Sequence, residues 1–233
     1  MSKIALLLYY LVPLAAFAIA YLAQERVRRV FREEDQVPAS AGITGMDTAR
    51  ELLSRAGLHN VRIELLASRL GDYYDPMTKV LRLSPETARR TSILAVGVAA
   101  HEAGHAIQDA ERYGLMRAHN VLARWLVGLT FFSPIAFVGG FFLGSRPLLY
   151  VAIGILAFQL LFALVALPLE INASKRAVHL LEQWAVILPS EERNVKRVLR
   201  TAAFTYLASA AVRLAFLMFW FIVFATATGL WGL

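Results

Sequence analysis

No cysteine occurs in the 233 residues, which excludes disulfides and thiolate metal sites. Histidine is scarce, with five copies, so a histidine pair at a meaningful spacing stands out against chance. Charge is nearly missing from four stretches, 4–23, 125–144, 147–169 and 214–233, each with at most one strongly polar side chain. Runs of that length match a hydrocarbon core of about 30 Å and exceed what a soluble buried helix needs. With 58% hydrophobic residues and a mean hydropathy of +0.55, the chain reads as a mainly α integral membrane protein with about four transmembrane helices.

Acidic residues are outnumbered, 17 against 24 basic ones, for a net charge of +7. Such an excess can signal nucleic acid, but its placement points to topology instead, and no nucleic-acid partner is expected. Arg26, Arg28, Arg29 and Arg32 follow the first apolar run, and Arg112, Arg117 and Arg124 precede the second. Lys175, Arg176, Arg193, Lys196, Arg197 and Arg200 lie between the third and the fourth, whereas the link between the second and third offers only Arg146. The positive-inside rule then places 24–124 and 170–213 on the cytoplasmic face, where a basic surface also suits anionic lipid headgroups of the bilayer. The first run has its positive charge on the C-terminal side, so it reads as a retained span and not a cleaved signal.

Between the first and second runs, 42–57 reads as a short amphipathic helix with Asp47 as N-cap and Gly57 as stop. Alternation at Val61, Ile63 and Leu65 predicts a strand, and a second is predicted at 79–83. The turn-rich stretch 71–78 between them predicts a hairpin. Ser84-Pro85 is a helix start, and that helix is predicted to continue to about Asp109.

Within it stands AAHEAGHAIQ, residues 99–108. Residues four apart share a helix face, so His101 and His105 can offer imidazole nitrogens to one metal ion, with Glu102 beside it as a base for a metal-bound water. A chance match to this pattern is on the order of one in two hundred from composition. Gly97, Gly104 and Gln108 fall on the histidine side, where small residues would let another helix come close. A catalytic zinc takes a third protein ligand and keeps an open position. Asp109 and Glu111 are near in sequence, and Glu111 has the six-residue spacing of metzincins but Gln108 replaces the glycine of that pattern. His119 has no spacing argument. Glu170, at the end of an apolar run just past Pro168, is the best candidate. Ala173, Ser174 and Ala177 share its face, and an apolar hairpin formed by the second and third runs would return it to the side of the histidines. His179 points away from that face.

HEAGHAIQ, followed two apolar runs later by EINASKRA, resembles the YugP-like neutral zinc metallopeptidases of bacterial membranes. So do AGLHNVRIE, LGDYYDPMTKVLRLSPE and SILAVGVAAHEAGHAIQ, and the likeness extends from about Gly42 to Leu181. That family is similar to the HtpX-type and CAAX-prenyl-protease gluzincins, in which a glutamate on a later helix completes the site. The resemblance implies Zn²⁺ held by His101, His105 and Glu170, with Glu102 as general base. It also implies a zincin-like domain on the cytoplasmic face of the bacterial inner membrane. Asn172 stands where members often carry an acid and Ser174 where HtpX-type enzymes carry aspartate, so Ser174, a carbonyl or a water has to hold a metal-bound imidazole. The implied division is an N-terminal transmembrane helix (1–24), the H-E-x-x-H region (25–120), a transmembrane hairpin (121–169), the third-ligand segment (170–201) and a C-terminal transmembrane helix (202–233).

A peptide or protein substrate is expected, cleaved by metal-activated water. The predicted strand at 79–83 could offer an edge to an extended peptide, and Tyr73 or Tyr74 could face a developing oxyanion, against the plainer reading of turn packing. The competing reading of the whole chain is a membrane scaffold whose metal only ties helices together. Arg213 is read as an interfacial anchor ahead of a final span beginning at Leu214.

Overall fold

The structure, a computed structural model, describes residues 3–66 and 71–227, with side chains described for 11–66, 71–126 and 128–220. In chain order the elements are α1 (Lys3–Glu34), α2 (Gly45–Arg55), β1 (Arg62–Leu65), β2 (Tyr73–Asp75), β3 (Val80–Leu83), α3 (Pro85–Arg89), α4 (Ile93–Ala110), α5 (Gly114–Phe142), α6 (Arg146–Gln183) and α7 (Glu192–Ala227). They divide into two compact units, one built from Met1–Gln24, Ala118–Leu167 and Thr205–Leu233, the other from Glu25–Arg117 and Pro168–Phe204.

The first unit is helical, and apolar side chains cover its surface. Phe132, Ile135, Phe142 and Leu143 are exposed at 62%, 66%, 80% and 77%, as suits helices that face hydrocarbon more than water. Among the described residues, α6 and the stretch Glu192–Trp220 of α7 are each long and apolar enough to cross a membrane. The two parts of α5, Gly114–Leu126 and Gly128–Phe142, make a third if they form one span across a 47° bend. The expected first span, 4–23, falls partly on 4–10, and the expected last one, 214–233, partly on 221–233, which lie outside the described side chains. α7 runs unbroken from Glu192 to Ala227, through the start of the expected last span, and Arg213 lies inside it, donating to the Ser209 carbonyl at 3.2 Å.

The second unit packs around α4. Its core joins Leu52 and Leu53 of α2, Leu81 and Leu83 of β3, Val96, Ala99, Ala100 and Ala103 of α4, Leu181 of α6, and Val195 and Val198 of α7. Helix α2 starts at Gly45, three residues earlier than an Asp47 cap would place it: Thr44 is the N-cap, accepting from the Asp47 amide at 3.1 Å, so Asp47 sits in the first turn, where its charge favours the helix dipole. Gly57 follows the helix at φ +72, the left-handed geometry that ends helices.

The long helix expected from Ser84 is broken into α3 and α4. Ser84 caps the first, accepting from the Thr87 amide, and Ser92 caps the second, accepting from the Ala95 amide, each at 3.2 Å. Between them the backbone is extended and is used elsewhere. The Gly45 amide donates to the Arg90 carbonyl at 3.0 Å, the Ala39 amide to Thr91 at 2.8 Å, and the Ile93 amide to Val37 at 2.8 Å. Those bonds strap 37–45 across the helix start, and a continuous helix would forfeit them.

The predicted hairpin of two strands is a three-stranded sheet in the order β1-β3-β2. β1 runs parallel to β3, pairing Ile63 with Leu81, because the turn-rich stretch holds a strand of its own. β2 folds back antiparallel on β3, pairing Tyr74 with Leu81. Asp75 closes that turn, accepting from the Met77 amide at 2.9 Å and the Thr78 hydroxyl at 2.6 Å. With neighbours on both sides, β3 has no edge to offer a peptide, which overturns the expectation placed on 79–83.

α4 and α6 come close enough for backbone contact. A Cβ added at Gly104 would lie 2.9 Å from the Ala173 carbonyl oxygen. Gly104→Ala must therefore move α6 away from α4. The expected cost is about 1–3 kcal/mol, as for other overpacked sites, read as a lower thermal midpoint of the protein in detergent.

Candidate metal centre

α4 presents His101 and His105 one turn apart, and α6 brings Glu170 to them within the second unit. The Nε2 atoms of the two histidines are 3.2 Å apart. Glu170 Oε2 lies 3.0 Å from His101 Nε2 and 3.5 Å from His105 Nε2. Tetrahedral zinc with bonds of about 2.0–2.1 Å separates its ligand atoms by about 3.3 Å, so three donor atoms already stand at the spacing of one coordination sphere. Their side chains are 14%, 11% and 9% exposed, so the donor atoms are largely shielded from solvent. The donor set fits zinc.

The second nitrogen of each imidazole is held. His101 Nδ1 is 3.2 Å from the Ser174 hydroxyl, one turn beyond Glu170 on α6. His105 Nδ1 is 3.0 Å from Gln108 Oε1, and there the direction of every proton can be deduced. Arg176 can only donate, and its Nε reaches Asn172 Oδ1 at 2.8 Å. Asn172 Oδ1 is thus an acceptor, and it accepts a second bond from Gln108 Nε2 at 2.9 Å; the same Nε2 donates to the Leu169 carbonyl at 3.1 Å. The Gln108 oxygen consequently faces His105, so Nδ1 carries a proton, and Nε2, which faces Glu170 and His101, is the nitrogen that offers a lone pair when the imidazole is neutral. Arg176 is itself anchored by Glu111 at 2.7 Å. Sequence reasoning identified Ser174 as a partner for an imidazole but missed Gln108, Asn172 and Arg176. The available signal was Gln108 on the histidine face, three residues past His105.

Glu102 is buried, 7% exposed. Its Oε2 accepts from the Tyr74 amide of β2 at 2.9 Å, a bond invisible in sequence because a backbone group makes it. Burial raises the Glu102 carboxyl above its usual range, the two imidazoles opposing and Glu170 adding to the rise. Burial also disfavours a charged His105, but the hydrogen bond to Glu170 and the fields of Glu102 and Glu170 prevail and lift it to about 9. The carboxylates hold positive charge at this point, as a cation site requires.

The other candidates lie elsewhere. Asp109 accepts from the Tyr74 hydroxyl at 2.8 Å and pairs with Lys79; Glu111 pairs with Arg176. His119 belongs to the first unit and packs against Phe162, ring centroids 4.7 Å apart. His179 is exposed on α6. The Tyr73 ring lies under the Arg82 guanidinium at 5.5 Å and its hydroxyl accepts from Arg82 at 3.4 Å. The tyrosine hydroxyls thus bond to Asp109 and Arg82, in keeping with turn packing.

A family model described as "Putative neutral zinc metallopeptidase" matches residues 9–225. The chain belongs to that family. It is also 37% identical over 221 residues to a protein of Bacillus subtilis (strain 168) described as "Putative membrane protease YugP", covering 94% of this chain and 97% of that one. No solved structure matches the chain. Zinc is the metal the family description names, and it agrees with a site of two imidazoles and a carboxylate.

Removing the group that orients His105 should weaken this site without removing a ligand. Gln108→Ala is expected to lower zinc affinity by about 10–100-fold, the usual range for outer partners of metal-bound histidines. Competition titration against a chromogenic chelator would measure it, and an unchanged affinity would leave the hydrogen-bond chain without a role in tautomer choice.

Proposed function

We propose that this protein is a membrane-embedded zinc endopeptidase of gluzincin type. His101, His105 and Glu170 hold the metal, and Glu102 is the general base. The observation that carries the reading is the placement of a buried carboxylate beside three donor atoms spaced for one ion. Bound zinc would lower the pKa of a water and polarise the carbonyl to be cleaved. Glu102 takes the proton from that water and returns it to the leaving amine. The Tyr74 amide holds one of its oxygens, so the carboxylate keeps its orientation while the other oxygen exchanges the proton. Ser174 and Gln108 hold the imidazoles with their Nε2 atoms facing the ion.

The substrate is a peptide or protein segment, and membrane or misfolded proteins are the class we favour. β2 is the strand that adjoins the base, so an extended peptide would lie along it. The protein crosses the bacterial inner membrane four times, with the site on the cytoplasmic face. The distribution of Arg and Lys along the sequence supports that orientation.

Glu102→Gln separates this reading from a purely structural metal site. Zinc content should stay at the wild-type level while cleavage of a peptide library falls by about 10²–10⁴-fold, the range for loss of a general base. A scaffold would show no cleavage in either protein. Glu170→Ala should lose zinc, as followed by metal analysis; undiminished zinc would move the third ligand elsewhere.

A further inference from the structure

The N-terminal half of α7 lines two cavities in the second unit. One, of about 700 Å³, draws Arg26 from α1 and Arg193, Lys196, Arg197 and Arg200 from α7, with Glu192 as the acid in its lining. Part of that charge is already neutralised. Arg197 pairs with Glu33 and with Glu34 at 2.8 Å, and Lys196 pairs with Glu192 and with Glu182 at 3.9 Å. Arg26, Arg193 and Arg200 are exposed and form no ion pair among the described residues. Three exposed guanidiniums that line one cavity and form no ion pair leave their N–H donors available for charge-assisted hydrogen bonds to an anion.

The second cavity, of about 360 Å³, shares Lys196 and Arg200 with the first and has Val178, Leu199 and Ala203 in its wall, with Lys175, His179 and Glu182 among its polar lining. Both volumes fall in the range of about 300–1,000 Å³ usual for ligand sites. A cationic chamber that shares two basic residues with a neighbour bearing an apolar wall matches an amphiphile. A soluble phosphate would have no use for the second chamber. The sequence positions agree: Arg26 comes just after the apolar run 4–23, and Arg200 stands at the start of the apolar part of α7, the depth at which basic side chains meet lipid headgroups.

We propose that these cavities bind one anionic phospholipid, its phosphate among Arg26, Arg193 and Arg200 and part of an acyl chain along Val178, Leu199 and Ala203. The proposal does not depend on the peptidase reading.

The test is native mass spectrometry of the full chain in mild detergent, titrated with phosphatidylglycerol, phosphatidylcholine or inorganic phosphate. Wild type should retain phosphatidylglycerol in preference to phosphatidylcholine, and inorganic phosphate should not compete at equal concentration. Arg193→Gln and Arg200→Gln should each weaken phosphatidylglycerol binding about fivefold, which corresponds to about 1 kcal/mol per basic residue. These side chains are exposed and unpaired, so thermal midpoint and zinc content without lipid should match wild type. Ala203→Leu, which fills the apolar chamber, should weaken the lipid through its chain. Equal retention of both lipids, effective competition by inorganic phosphate, or wild-type affinity in the arginine variants would each overturn the proposal.

Discussion

The second unit depends on how near α4 and α6 can come. At Gly104 the two backbones leave no room for a methyl group, and Ala173, opposite it, is fully buried. At that distance a glutamate on one helix reaches two imidazoles on the other while all three side chains remain close to their own helices. Large residues at the crossing would push α6 out and leave Glu170 short of His101. The core follows from the same requirement: α2, β3, α6 and α7 all pack on α4, which holds the histidine helix in place from several sides.

A metal site also needs its lone pairs to point inward, and geometry alone does not ensure this for histidine, which has two tautomers. Here the choice is made by a chain of hydrogen bonds that starts at Arg176, a group unable to accept. Each following group has one orientation left, and the chain ends at His105 Nδ1. Leaving any buried member of such a network unpaired costs about 1–3 kcal/mol, which is why two amides can set the orientation of an imidazole.

Charge and backbone complete the site. Glu102 and Glu170 are both buried beside the imidazoles, an arrangement unstable by itself because two like charges share a region of low dielectric. A proton on His105 relieves it partly, and a dication would relieve it more fully. The sheet adds the Tyr74 amide to Glu102 and then fastens β2 to the end of α4 through Tyr74 and Asp109. A strand of three residues thereby steadies the proposed base.

Much of this could be read along the chain. Apolar runs without charge disclosed helices long and apolar enough to cross a membrane, because burying charge in hydrocarbon is prohibitive. The four-residue spacing of His101 and His105 disclosed a shared helix face, because helical periodicity is local. The Ser84 cap was legible for the same reason, whereas the Ser92 cap was read as helix interior. The parallel pairing of β1 with β3, the break between α3 and α4, and the Tyr74 amide on Glu102 were not, because each arises from backbone groups meeting at a distance, and backbone groups carry no sequence signature. By itself the sequence determined which side chains could ligate a metal and on which faces they stand. Only the tertiary structure decided that Glu170 meets both histidines, and that Gln108 rather than a carboxylate orients His105, since both depend on the distance between two helices far apart in the chain.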